Sequence, residues 1–165
     1  MAGALNDAHM TALCIRIDPK STILPTEQVL TKKREDELNR LSIERATGVY
    51  RIYQEWREAN ASFAEGRTDW DDPISTIESE VGQRGRDADL IVLPRPTSMR
   101  DFYGRLAVRT AIFEAERPVL LVPNTRTPSL GQSIAILWDD EKPTLRAVLD
   151  ALPRAGARRA RLPAK

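Results

Sequence analysis

The sequence predicts an α/β protein built on a parallel sheet. Two uninterrupted apolar runs of strand length, ADLIVLP at 88–94 and RPVLLVP at 117–123, carry no polar face. Strands apolar on both sides are what a parallel sheet covered by helices requires. Residues 99–116 between them keep helical period, with Phe102, Leu106, Arg109, Ile112 and Phe113 in the pattern. Strand, helix and strand in succession make a βαβ unit, whose crossover is right-handed. A third short apolar run, MTALCIRI at 10–17, stops at Asp18-Pro19 and reads as another strand.

The remaining elements follow in chain order. Residues 18–25 form a loop by their two prolines and Ser-Thr pair. Thr26 is placed to cap a long helix over 27–64, with Glu27 in its first turn. Its apolar stripe is expected at Leu38, Leu41, Val49, Ile52, Trp56, Ala59 and Phe63. The opposite face carries Lys32, Arg34, Glu35, Glu37, Arg40, Glu44, Arg51 and Glu58 and is read as solvated. Gly48 inside the pattern is a candidate kink, and Gly66 a candidate C-terminal cap. TDWDDPI at 68–74 has room for a short edge strand around Trp70, and Ser75 or Thr76 caps a helix over 76–87. Residues 124–132 are a Pro- and Gly-containing linker. SIAILWDD at 133–140 reads as a further strand. A helix follows, with Pro143 in its first turn, Leu145, Val148, Leu149 and Leu152 on one face, and Pro153 expected to end or kink it.

At 165 residues the chain has the length of one domain. A net charge of +1 supplies no field that would gather nucleic acid. No apolar run approaches the ~20 residues of a membrane helix, and MAGALNDAHM lacks the pattern of a secretory signal. The single cysteine, Cys14, excludes an internal disulfide and fits a reducing compartment, so a cytoplasmic location is expected. Cys14 is read as a small core residue, with a pair to His9, the one histidine, as the reactive alternative. Asp69, Asp71 and Asp72 lack the glycine turn and distal glutamate of a calcium loop. Nucleophile-elbow, zinc-spacing and P-loop patterns are absent from the sequence, and no enzyme is expected.

GRDADLIVLPRP, the following helix and ERPVLLVP resemble the fourth strand, fourth helix and fifth strand of the universal stress protein family. SIAILWDDEKPTLRAVLDALP resembles that family's first strand and first helix, and AHMTALCIRIDP its second strand. The resemblance is clearest over 86–152 and weaker over 8–75. It implies a Rossmann-like open parallel sheet of the adenine nucleotide alpha hydrolase-like kind, with helices on both faces and an incomplete or circularly permuted strand order. Residues 1–123 would then be a domain without its usual first strand and helix, 124–132 a linker, and 133–165 a strand and helix like the start of a second domain. The family's sheet order, 3-2-1-4-5, places strand 1 in the centre. Residues 133–139 are expected to fill that place in the same chain or in exchange, or else to belong to a truncated second domain. Nine linker residues reach about 30 Å, against roughly 20 Å along a strand and about 10 Å sideways.

The resemblance also implies a nucleotide site beyond the carboxyl ends of the strands, with ATP or AMP as ligand. The family's phosphate motif, G-x2-G-x9-G followed by Ser or Thr, is largely erased, however. Pro94 and Thr97 stand at its first two glycines, and Ala107-Val108 at its final pair. Proline has no N–H to offer a phosphate. The candidate nucleotide contacts are Asp18, Thr97, Ser98 and Asp139, the last matching the family's strand-end aspartate, with Arg95 and Arg100 near a helix start. Family members often dimerise through the fifth strand, which here is Val119, Leu120, Leu121 and Val122. The expected function is therefore a stress-response module that binds or dimerises and carries a degenerate nucleotide site. The alternatives are a weak ATP or adenosine binder and a truncated fragment without activity.

Overall fold

Pro73 divides one parallel ladder into two. In the computed structural model, which describes residues 8–22, 31–125 and 141–155, strand β1 (Met10–Leu13) runs parallel to β3 (Thr68–Asp71). Strand β2 (Arg16–Ile17) runs parallel to β4 (Ile74–Ser75). Met10 faces Thr68 and Arg16 faces Ile74, so the register is the same on both sides of the interruption. The Cys14 N–H donates to the Asp71 carbonyl (2.9 Å) and the Arg16 N–H to the Pro73 carbonyl (2.8 Å). In that alternation the Cys14 carbonyl falls opposite residue 73, and proline has no N–H to give it. The strand expected over 10–17 is thus present as two segments, and the edge strand expected around Trp70 is present as β3.

The long helix α1 (Lys32–Ala59) lies between them, followed by the single turn α2 (Ala61–Ala64). Helix α1 runs unbroken through Gly48 and ends at Asn60. Thr31 stands at the N-cap, while the Thr26 cap expected from sequence lies outside the described residues. Gly66 takes a positive φ of 67° just beyond α2, a conformation natural to glycine after a helix end.

The face that α1 buries is a correction to the expected stripe. Ala46 and Tyr53 are buried, whereas Leu41, Val49 and Ile52 are exposed. The cause is aromatic. Trp70 on β3 meets the Tyr50 ring edge-on at 5.2 Å and the Tyr53 ring at 5.4 Å. Trp56 continues the cluster onto Phe63 at 6.2 Å. Docking on Trp70 turns the helix about one residue, ~100°, from the Leu-Val-Ile stripe.

Helix α3 (Ile77–Asp87) begins where Thr76 accepts the Ser79 N–H (3.2 Å), one of the two caps expected. Strand β5 (Ile91–Pro94), helix α4 (Phe102–Phe113) and strand β6 (Val119–Val122) then form the βαβ unit, with β5 and β6 parallel and Ile91 opposite Val119. Ile77, Val81 and Ala111 make the core between α3 and α4. Ile15, Ile17, Ile91, Leu93, Leu106, Ala107 and Val119 pack against it. Gly85 permits this closeness, because a Cβ there would stand 2.7 Å from the Ala115 Cβ and 2.9 Å from Ile91 Cδ1. The inward face of α4 is therefore Thr110-Ala111 with Leu106 and Ala107. Of the expected pattern, Phe102, Arg109, Ile112 and Phe113 point outward. Full burial on both faces of β5 and β6 is not seen among the described residues, since Val92 is exposed on the face away from the core and Leu121 is exposed at the edge of the face that meets it.

Helix α5 (Lys142–Ala155) is the last described element of the chain. It runs two residues past Pro153, so of the expected end or kink the end does not fall there. A proline so near a helix end removes one hydrogen bond of the last turns. Residues 133–140, read as a strand, lie outside the described residues.

Candidate functional site

The carboxyl ends of the parallel strands carry most of the residues singled out in the sequence. Asp18 follows β2, and its carboxylate accepts the Lys20 N–H (2.9 Å), holding the turn that begins at Pro19. Thr97 and Ser98 lie exposed in the loop between β5 and α4. That loop satisfies its own backbone. The Ser98 hydroxyl accepts the Arg100 N–H (3.0 Å), and the Ser98 carbonyl accepts the Asp101 N–H (3.1 Å). At the start of α4 the Asp101 carboxylate accepts the Gly104 N–H (2.9 Å). A carboxylate already sits where a helix N-terminus would otherwise hold an anion. The loop has Pro94 at its entrance and Asp101 at its exit, so its amides and charge are poorly disposed toward a phosphate. Asp139 lies outside the described residues.

At the other side of the βαβ unit, β6 presents an outer edge. The Ile91 N–H donates to Pro118 (3.0 Å) and the Arg95 N–H to Val122 (2.8 Å). By strand alternation, Leu120 and Val122 direct their backbone groups to β5, and Val119 and Leu121 direct theirs outward. No strand among the described residues pairs with that edge. Leu121 is 40% exposed, and Pro123 ends the run of donors.

The acidic cluster around Trp70 resolves into three separate ion pairs. Asp69 meets His9 Nε2 at 3.2 Å, Asp72 meets Arg16 Nε at 3.2 Å and Asp71 meets Arg84 at 2.6 Å. Arg84 also meets Glu80 at 2.7 Å and holds its carboxyl below the ordinary carboxylate value. Among the described residues no group of three or more metal-ligating side chains converges. His9 is thus engaged with Asp69 rather than with Cys14. Cys14 is buried at 8% exposure, and desolvation pushes its thiol up despite the nearby Arg45. A raised thiol is a poor nucleophile.

One feature escaped the sequence reading. Ala46, Thr47, Tyr50, Trp70 and Asp72 line an open cleft of ≈ 260 Å³ between α1 and the first ladder. The signal was the spacing of Tyr50 and Tyr53, but their meeting with Trp70 depends on a contact across the fold. Asp72 at its rim is already paired with Arg16, so the cleft offers no uncompensated charge to a ligand.

These features define a mixed α/β protein with short parallel strands. No described helix is long and apolar enough to cross a membrane. No family model, curated protein or solved structure matches the chain.

Proposed function

We propose that the chain is a non-enzymatic binding module of the universal stress protein kind, which acts in stress adaptation by pairing with a second copy along β6. The observation that carries this reading is the parallel β5–α4–β6 unit with an outer edge of apolar residues, Val119 to Val122. In this reading the sheet is Rossmann-like and the setting is cytoplasmic. Two outward backbone positions, Val119 and Leu121, supply the pairing groups, and the Leu121 side chain supplies apolar area beside them. An edge this short gives a modest interface, which suits a reversible dimer.

The nucleotide site is degenerate in this reading. Asp18, Thr97 and Ser98 stand beyond strand ends where a nucleotide would bind, and Asp139 is the fourth candidate contact by resemblance, but Pro94 removes an amide and Asp101 adds a negative charge. Light scattering tests the dimer. The wild type is expected to be dimeric and Leu121→Asp monomeric, and a monomer in both cases removes the proposal. Titration calorimetry with ATP, AMP and adenosine is expected to give no heat. Heat that disappears in Asp139→Ala would instead establish a weak nucleotide binder.

A further inference from the structure

We infer that the outward face of α4, extended by Met99, is a docking surface for an anionic lipid bilayer. The inference goes beyond the β6 dimer and uses none of that edge, so either can fail without the other.

The face follows from how α4 packs. Its buried residues, Thr110 and Ala111, are turned to α3 and the core. At 100° per residue, Phe102, Arg105, Arg109, Ile112 and Phe113 then share an arc of about 100° on the roughly opposite side, about 16 Å long. All five are exposed. Met99 extends the face at its start, where the Arg105 guanidinium donates to its sulfur (3.5 Å). Met99 at 80% and Phe113 at 73% are the most exposed large apolar side chains among the described residues. Apolar side chains exposed singly are ordinary, but several gathered on one face mark an interaction site.

The charge on this face is unbalanced. Helix α4 carries two arginines and no acid, and Arg100 adds a third cation just before it. The nearest carboxylates are turned elsewhere. Asp101 accepts the Gly104 N–H, and the Glu114 carboxylate stands beside Gly82 of α3. On α1, by contrast, Arg34, Arg40 and Arg51 each meet a glutamate, and Arg16 and Arg84 meet acids of the first ladder. Among the described residues Arg100, Arg105 and Arg109 form no such ion pair.

This arrangement selects the occupant. A second copy would set arginine against arginine, and like charges facing each other repel. A helical peptide needs a groove, which the outer face of a single helix does not form. Single-stranded nucleic acid needs open rings for its bases to stack on. Met99 and Ile112 have no ring, and Phe102 already meets the Tyr103 ring in a T at 5.5 Å. An anionic bilayer asks for what is present. Protruding Met, Phe and Ile side chains enter the boundary between headgroups and acyl chains, and arginine stems lie among them with guanidinium groups at the lipid phosphates.

Flotation of the full chain with lipid vesicles tests this. The wild type is expected to float with phosphatidylcholine vesicles carrying about 30 mol% phosphatidylserine, and not with pure phosphatidylcholine. Arg105→Gln with Arg109→Gln is expected to weaken binding about 30-fold. Phe102→Ser with Phe113→Ser is expected to weaken it at least about tenfold. Ile52→Ser, as exposed as Phe102 but on α1, is expected to leave it unchanged. Wild type that does not float, equal flotation with the neutral vesicles, or a loss in Ile52→Ser equal to that of the phenylalanine pair overturns the inference. Capture of oligothymidylate through the same arginines, without vesicle binding, would assign the face to nucleic acid and overturn it as well.

Discussion

The first ladder, β1–β2 with β3–β4, has cover on both faces, whereas the second, β5–β6, has it on one. Ala12, Trp70, Cys14 and Asp72 share the side that meets α1, and Ile15, Ile17 and Asp71 share the side that meets α3. On β5 and β6, Ile91, Leu93 and Val119 meet the α3–α4 core, while Val92 on the opposite face stays exposed. The difference teaches that the apolar pattern of a strand reports what its surroundings must supply. VLLV is as apolar as any described strand, yet none of its four residues is fully buried and Leu121 is exposed.

The sharpest way to break the comparison is to strike the core that both ladders use. Val81→Asp places a charge without a partner at a 7% exposed position and is expected to cost about 3–5 kcal/mol, lowering the urea midpoint of the whole chain. Separate transitions for the tryptophan signal of the first ladder and the amide signals of β5–β6 would show that the ladders do not share that core. Trp70→Ala acts on the first ladder alone. It removes the ring that docks α1 and is expected to cost about 2–3 kcal/mol, whereas Ile52→Ala on the exposed stripe is expected to change stability by less than about 0.5 kcal/mol. Equal losses would restore the Leu41–Val49–Ile52 face as the buried one.

Two glycines sharpen the contrast further. Gly85→Ala crowds Ala115 and Ile91 and is expected to destabilise by about 1–2 kcal/mol even after the gain in helix propensity. Gly48→Ala meets nothing within 4 Å and is expected to stabilise α1 by about 1 kcal/mol. Thermal unfolding of the two variants should therefore move the midpoint in opposite directions. The smallest effect is electrostatic. Arg84 depresses the Glu80 carboxyl in the folded chain, so its contribution exists above the ordinary value of 4.5 and is lost as pH falls below it. The wild type should exceed Glu80→Gln by about 0.5 kcal/mol at neutral pH, and the difference should close in acid.

Much of this architecture was legible in the residues. The βαβ unit was readable because β5 and β6 are apolar without alternation, and α3 because Thr76 precedes a helix-forming run with acids in its first turn. The buried face of α1 was not readable. Two faces of that helix carry apolar side chains, and the choice between them is made by Trp70, reached only across the fold. The outward face of α4 failed for a related reason. The core selected the small Thr110 and Ala111, which let α3 come close, over the larger Phe102, Ile112 and Phe113. For the candidate site, the loss of phosphate-binding glycines was visible at Pro94 and Thr97. The Asp101 carboxylate over the start of α4 was visible only in the folded chain.

A nuclear Overhauser spectrum of the labelled full chain tests most directly whether the β5 and β6 segments run side by side in the same direction. The account predicts amide-to-α-proton contacts that advance together along Ile91–Pro94 and Val119–Val122. Strong α-proton to α-proton contacts between the two segments, or helical contacts within either, would contradict it.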